Sequence, residues 1–319
     1  MAARYSTQNL NTTLTNFGLE VSRSGGPSIV PEIAPIVRVG LTDTKFYKFN
    51  NSREMVTNDF DAERAPKDTS NEINRSYTSA TLSLKQRGLR ELIADEEVDN
   101  ADMSVINPEQ DAAGLIVSKL KLVQETELNS LLFDASTTFT DYTAAATAYW
   151  DAGTTYIEAD IDAAKTSVMI NAGVMPNTIV IPDNIAKIAK RTTELRNLVK
   201  YTDPTLLVNG DLPPTLFGLK VVIPTSLNNE ANPGVSTASM DFLHDDKNVW
   251  VGYVEREEPS KRSLSCFYTF LRPLAGVADI AMFKYRDDGR HGNWVEGLWE
   301  YDIECVAANA GYVISGCDA

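Results

Sequence analysis

Histidine, cysteine and positive charge are scarce in this sequence. Two histidines, His244 and His291, stand among 319 residues, so a metal centre built from several imidazoles is excluded and a histidine-based catalytic pair has few places to form. Three cysteines, Cys266, Cys305 and Cys317, lie 39 and 12 residues apart, which fits neither a disulfide framework nor a paired-cysteine metal pattern. A reducing compartment is therefore expected. Lys and Arg number 29 against 44 Asp and Glu, a net charge of −15. That balance argues against a dedicated nucleic-acid binder, which needs clustered cations to neutralise phosphates. No apolar run approaches the ~18 residues that span a bilayer. Residues 1–5 lead into a polar stretch, not the apolar core of a signal peptide. A soluble protein made inside a cell, with no membrane partner, is the expectation. The GxGxxG, P-loop, GxSxG and HExxH patterns are absent.

What is present is an ordinary globular composition, 43% hydrophobic. At roughly 150 residues per domain the length suggests two domains, each with a core of its own. Residues 6–16 hold nine uncharged polar residues out of eleven, and Ser24-Gly25-Gly26-Pro27 follows. Too polar to order itself, this stretch reads as an extended arm that is either frayed or laid against something else. Strands are expected at 45–49 and at 77–85, where Ala80, Leu82 and Leu84 alternate with polar residues. The 26 residues between, 51–76, carry ten charges, four of them basic: Arg53, Arg64, Lys67 and Arg75. A connection of that length is uncommon inside a compact domain, and a long projecting hairpin is the best account of it.

Asn107 as a cap, Pro108 in the first turn and Gln110 three residues beyond the cap announce a helix over 108–133. Ala113, Ile116, Leu120, Val123, Leu128 and Leu131 follow helical spacing and form its expected buried stripe. Residues 158–172 place Ile161, Ala164, Val168 and Ala172 on one helical face, with Gly173 as the stop. Strands fit 178–181, 219–223 and 249–254, and Asp183 can cap a helix through Lys190. Near the end, Val295, Gly297, Trp299, Tyr301, Ile303 and Cys305 alternate with Glu296, Glu300, Asp302 and Glu304, the mark of a long half-buried strand. Its expected partner is 280–286. Pairing Lys284 with Glu296 is favoured, because it brings Phe283 and Tyr285 onto the Val295 and Trp299 face.

Candidate chemistry is sparse. His244-Asp245-Asp246, or Asp287-Asp288 with His291, could ligate a divalent ion, but adjacent loop acids usually form solvated turns. Cys305 and Cys266 sit in strand-like runs and read as buried; Cys317 is the one expected to be reachable. The acidic runs Glu257-Glu258 and Asp95-Glu96-Glu97 are weighed as general acid and base against ordinary surface charge, which the pattern favours. Lys187, Lys190, Arg191, Arg196 and Lys200 make the one basic stretch, suited to nucleic acid, an acidic neighbour or simple solvation.

Taken in order, these parts resemble the major capsid proteins of tailed bacteriophages, with the Hong Kong 97 type of fold. The resemblance rests on Lys45-Phe46-Tyr47-Lys48-Phe49, the run from Gly88 to Asp95, and the helical stretch from Asp111 to Phe133 with Glu125 inside it. It continues through Pro176-Asn177-Thr178-Ile179-Val180-Ile181, Thr193-Glu194-Leu195-Arg196, the run from Leu216 to Val222, and Ala310-Gly311-Tyr312-Val313-Ile314. It covers nearly the whole chain and is carried by the order of weak motifs.

The resemblance implies an α+β fold. Its parts are an N-terminal arm (1–30), an extended loop (46–85), a peripheral domain (31–45, 86–155 and 259–305) holding the spine helix 108–133, and an axial domain (156–258 and 306–319). It implies a shell protein with no catalytic site and no cofactor, assembling with itself into hexamers and pentamers around DNA that it touches weakly and non-specifically. A portal protein is the further partner implied, together with a separate scaffolding protein or none, and a decoration protein in those particles that carry one. Only about thirty arm-like residues precede the first strand, too few for a fused scaffold. Assembly in a host cytoplasm and residence in the virion follow from the same resemblance. The residues expected to matter are Arg53, Arg64, Lys67 and Arg75 at subunit contacts, Ile116, Leu120, Val123 and Leu131 in the spine core, and Lys284, Glu296 and Trp299 in the peripheral sheet. An encapsulin-like compartment and an intracellular hydrolase using the acidic loops are the alternatives.

Overall fold

The computed structural model describes residues 10–23, 28–48, 63, 66, 69–70, 78–100, 107–152, 157–200, 212–229, 239–244, 247–257, 259–260, 263–274 and 279–318. Its first half runs through α1 (Thr12–Arg23), α2 (Val30–Ile33), β1 (Ile36–Arg38), β2 (Asp43–Lys48), β3 (Thr78–Ser83), β4 (Lys85–Ala94), α3 (Asp95–Asn100) and α4 (Pro108–Leu132). Then come β5 (Thr143–Ala145), α5 (Ile157–Ala172), β6 (Thr178–Val180), α6 (Asp183–Ala189), α7 (Thr193–Lys200), β7 (Thr215–Leu216), β8 (Leu219–Val222), β9 (Leu227–Asn229) and β10 (Met240–Phe242). The chain closes with β11 (Val249–Gly252), β12 (Phe267–Leu271), β13 (Ala281–Asp287), β14 (Gly292–Cys305) and β15 (Gly311–Ser315). Among the described residues no helix is long and apolar enough to cross a membrane.

Helix α4 starts where the cap signal places it. The Asn107 side chain accepts hydrogen bonds from the backbone N–H groups of Glu109 and Gln110, at 3.2 and 3.4 Å, satisfying donors that the first turn leaves without partners. Its buried positions Ile116, Leu120, Gln124, Leu128 and Leu132 lie four apart. Each such step turns about 40° around the axis, so the stripe creeps round the helix. That rotation corrects the expected core: Ile116 and Leu120 are buried, but Val123 is left 41% exposed. Leu131 packs against the core only in part.

Strand β14 organises the first sheet. One edge pairs antiparallel with β4, from Gly292↔Ala94 to Tyr301↔Lys85, and β13 pairs with the other edge from Ala281↔Leu298 to Asp287↔Gly292. Its C-terminal part pairs with β12, which is joined in parallel by β1. The register differs by one residue from the expected one: Lys284 stands opposite Val295 and Phe283 opposite Glu296. Gly297 explains the difference. A Cβ there would lie 2.6 Å from Ile116 Cγ2 and 3.0 Å from Met282 Sδ. Met282 therefore fills the space above this glycine on the helix side, and Phe283 turns to the opposite face. There it joins Ala281 and Leu298, with Leu10 and Leu274 packed over them.

The second sheet has the order β5-β15-β11-β6-β8-β7. Helix α5 buries Ile157, Ile161, Ala164, Val168 and Ala172, and Gly173 leaves it at φ +71°, a left-handed turn that suits glycine at a helix end. Trp150, Ile179, Ile181, Val249, Val251 and Ile314 share this second core. Asp183 is not the cap of α6: Pro182 takes that place without a side-chain bond, and Asp183 pairs with Lys187 inside the helix.

The polar N-terminal stretch is a helix over Thr12–Arg23, not an extended arm. Asn11 Oδ1 accepts from the Leu14 N–H at 3.1 Å, and Leu14, Phe17 and Val21 pack on the first core beside α4. Tertiary burial thus overrides the weak helix preference of its Thr and Asn residues.

Candidate functional site

Strands β2 and β3 form an antiparallel two-stranded ladder, with Lys45 opposite Thr81 and Phe46 opposite Ala80. Phe46, Leu82 and Leu84 are buried with Val37, Val39, Tyr268, Phe270 and Val306. Asp43, Lys45, Lys48, Ser79, Thr81 and Ser83 are exposed. The ladder is thus fixed to the body by one apolar face and presents the other to whatever lies outside. Beyond it, Arg53, Arg64, Lys67 and Arg75 lie outside the described residues.

The root of this hairpin sits over carboxylates. Asp302 and Glu304 stand opposite Phe270 and Tyr268 in the β12–β14 ladder. Burial raises the pKa of Asp302, opposed by Lys85 and Arg87. Burial raises that of Glu304 too, with a further push from Asp302, while Lys48 and Lys85 oppose it. Glu300 accepts from Thr42 Oγ1 at 2.9 Å and pairs with Arg272 at 3.1 Å, tying down the chain that enters β2. The acidic row of β14 is therefore covered: Glu296 and Glu300 are both buried.

Of the peripheral-sheet residues singled out from sequence, Lys284 pairs with Glu109 of α4 at 2.5 Å and Trp299 is buried in the first core. Glu296 lies on the other face of β14, so the geometry does not bring it beside Lys284. At the sheet's end, Arg286 grips Asp95 with two bonds of 2.5 and 2.6 Å.

The other candidates serve structure. Asp287 accepts from the Gly289 N–H and from Trp294 Nε1 at 3.1 and 3.0 Å, and Asp288 pairs with Arg286. His291 takes the left-handed conformation at φ +47° that closes the turn. Cys317 is buried, not reachable, and burial pushes its thiol far above the ordinary range; its N–H donates to Lys247 O at 2.8 Å, drawing the end of the chain into the second core. Among the described residues no group of three His, Cys, Asp or Glu side chains is placed to hold a metal ion; Asp245, Asp246 and Glu258 lie outside them. In the basic stretch, Lys187 pairs with Asp183 and lies over the Phe242 ring at 5.2 Å.

One polar cluster went unnoticed in the sequence. Glu125 and His244 are each 1% exposed and meet at 2.9 Å, Oε1 to Nε2. Ser28 Oγ donates to Glu125 Oε2 at 2.5 Å and the Ile29 N–H to Oε1 at 3.2 Å. The other ring nitrogen of His244 faces Asn129 Oδ1 at 2.7 Å, whose amide nitrogen is committed to Leu243 O at 3.2 Å. Three segments far apart in sequence meet here: the chain entering α2, the middle of α4 and the residues after β10. A Glu and an Asn four apart on a long helix were the available signal.

No protein-family model and no curated protein matches the sequence. Solved structures do. A phage-related protein from Bordetella bronchiseptica superposes with a TM-score of 0.70 at 17% identity, covering 97% of both chains. The capsid structure of the cyanophage P-SCSP1u gives 0.59 at 12% identity over 90% of this chain and 87% of its own. The SrpI encapsulin complex of Synechococcus elongatus gives 0.54 at 10% identity over 93% and 89%. The chain has the fold of tailed-phage capsid proteins, a fold it shares with an encapsulin.

Proposed function

We propose that this chain is the major capsid protein of a tailed phage, assembling with itself into hexamers and pentamers that close an icosahedral shell around double-stranded DNA. The observation that carries the reading is the β2–β3 ladder, which emerges from the body of a capsid fold with one face anchored and the other free. Such an element is stabilised by a neighbouring subunit better than by water. In this reading 46–85 is the extended loop, α4 the spine helix, the β14 sheet the peripheral domain and the β11 sheet the axial domain. A portal protein and the packaged DNA complete the particle in a host cytoplasm, with a separate scaffolding protein and a decoration protein where the particle uses them. The chain acts as shell material and catalyses nothing.

The likeness to an encapsulin supports a second reading, a protein compartment of the same fold. Negative-stain microscopy of the purified chain, with light scattering to weigh the particles, tests both. Shells, tubes or ring-shaped capsomers are expected. Particles formed in a phage-producing cell and filled with nuclease-protected DNA favour the capsid, and protein-filled particles favour the compartment. A chain that stays monomeric even when expressed with candidate scaffolding proteins would overturn both.

A further inference from the structure

Four strand ends meet around one thiol. Cys266 immediately precedes β12, and its N–H donates to Tyr253 O, just past β11, at 3.1 Å. Its carbonyl accepts from the Val306 N–H at 2.9 Å, where the chain leaves β14. Its sulfur lies over Gly311 at the start of β15, so that a Cβ on the glycine would stand 2.7 Å from Cys266 Sγ. Cys266 is thus wholly buried at the seam between the two sheets.

Cys305 is its neighbour. It ends β14 opposite Phe267 in the β12–β14 ladder, and the bond from Val306 sets Cys266 one rung further along. Strands of a ladder lie about 5 Å apart and rise ~3.4 Å per residue, so Cα atoms on adjacent rungs stand about 6 Å apart on the diagonal. A disulfide spans ~4.4–6.8 Å. The side chains turn to the same side: both pack on the first core, and the two thiols are hydrogen-bonded to each other. Both are free thiols. Burial, reinforced by the contact with Cys305, raises the pKa of the Cys266 thiol well above the ordinary range and keeps it protonated. Cys305 is only half-buried, so a small reagent arriving from solvent meets it first.

We propose that Cys266 and Cys305 are a redox pair that a hydroperoxide closes into an intrachain disulfide, riveting β12 to β14 at the seam of the two sheets. The chemistry takes two steps. The Cys305 sulfur attacks one oxygen of the peroxide and becomes a sulfenic acid, and the other oxygen leaves as water with the thiol proton. The Cys266 sulfur then displaces the hydroxyl from Cys305, and that hydroxyl leaves as water with the Cys266 proton. Two thiols have lost two electrons, hydrogen peroxide has become two molecules of water, and a thiol reductant reopens the bond. The third cysteine takes no part: Cys317 lies in the second core, its thiol turned to Ile314 O at 3.6 Å. This inference stands apart from the capsid reading, since it concerns contacts within one chain, and its test needs no assembled particle.

The full-length chain is treated with hydrogen peroxide, unfolded, its remaining thiols alkylated and its peptides weighed. A peptide cross-linked between Cys266 and Cys305, lighter by two hydrogens, is expected, with Cys317 recovered as the free thiol. The oxidised chain should unfold at a higher urea midpoint, because the closed loop restricts the unfolded state, and dithiothreitol should return it to the parent value. In Cys305→Ala, which changes the half-buried member, Cys266 should stay reduced under the same treatment. Three free thiols after treatment, Cys305 recovered as sulfinic acid beside a free Cys266, or a bond from either cysteine to Cys317 or to a second chain would each overturn the pair.

Discussion

Gly297 of β14 lies directly under Ile116 of α4, so close that a Cβ on the glycine would stand 2.6 Å from the isoleucine Cγ2. The helix rests on the sheet at a point where β14 offers no side chain. Met282 from the neighbouring strand, its sulfur 3.0 Å from the same point, closes the gap. Helix, strand register and core are settled at one position.

Gly297→Ala should therefore destabilise the chain through overpacking and not through backbone strain. A branched Ile116 held inside a helix cannot swing away, so the helix must lift or Met282 must leave its place. The cost of forcing a methyl into such a site is about 1–3 kcal/mol. A urea titration of the purified subunit should show the lower midpoint, and Gly297→Ala should cost less in an Ile116→Ala background, where the clashing Cγ2 methyl is gone, than in the parent.

That contact also explains what was and was not legible in the sequence. Asn107, Pro108 and the face of α5 are local signals, and the structure honours them because neighbours along the chain decide them. The strand at β14 was readable for the same reason. Its burial was not: Glu296 and Glu300, whose alternation with apolar residues marks a half-buried strand, are themselves buried, so both faces are covered. Its partner's register was not, because the choice between Val295 and Glu296 opposite Lys284 depends on the vacancy above Gly297, which a helix 180 residues away fills. Helix α1 hid behind its Thr and Asn content, although Asn11 as cap with Leu14, Phe17 and Val21 on one face was there to be seen. Cys317 looked accessible because it is near the end of the chain, but its backbone pairs with Lys247 and its side chain enters the second core. The buried stripe of α4 went astray at Val123 because a four-residue step rotates slowly around the helix. The Glu125–His244 cluster joins residues 119 positions apart; the local pattern offers Glu125 and Asn129 four apart on α4, but nothing in it points to His244.

Asn107→Ala should cost about 1 kcal/mol of stability, because two N–H groups of the first turn of α4 lose their acceptor. Asn107→Asp keeps the acceptor and adds a negative charge where the helix dipole favours one. It should match or exceed the parent. Chemical denaturation of the three chains under one condition checks the order.

Glu304 gives a pH dependence of definite sign. Burial raises its pKa and Asp302 adds to the rise, so the folded chain binds this proton more tightly than the unfolded one. The stability it contributes is complete below the ordinary glutamate range near ~4.3 and drains away as pH climbs through the raised folded value. Glu304→Gln should therefore gain on the parent as pH rises, with a larger advantage at about pH 7 than at about pH 4.5. Other carboxylates, such as Asp95 held down by its hydrogen bonds to Arg286, act in the opposite sense, but they are common to both chains and cancel in the difference. Unfolding midpoints across that range read it; an advantage that shrinks toward neutral pH would count against this account of the hairpin root.

The stretch 51–76 bears four basic residues among ten charges. The sequence of this segment is mostly polar, and the ladder that carries it gives its apolar face to the body through Phe46 and Leu82. Charge is then what it has left to offer a neighbour, and in a chain of net charge −15 the neighbour's surface is most readily acidic. Replacing Arg53, Arg64 and Lys67 together with Glu should turn that attraction into repulsion. Assembly should weaken, with particles fewer at a given concentration and the deficit partly relieved by salt, which screens exposed charges over about 10 Å at 0.1 M. The subunit itself should be untouched, since these residues lie beyond the anchored part of the ladder. Light scattering measures the first effect and circular dichroism the second. Intact assembly would remove these cations from the interface, and a lost circular-dichroism signal would place them in the fold of the subunit.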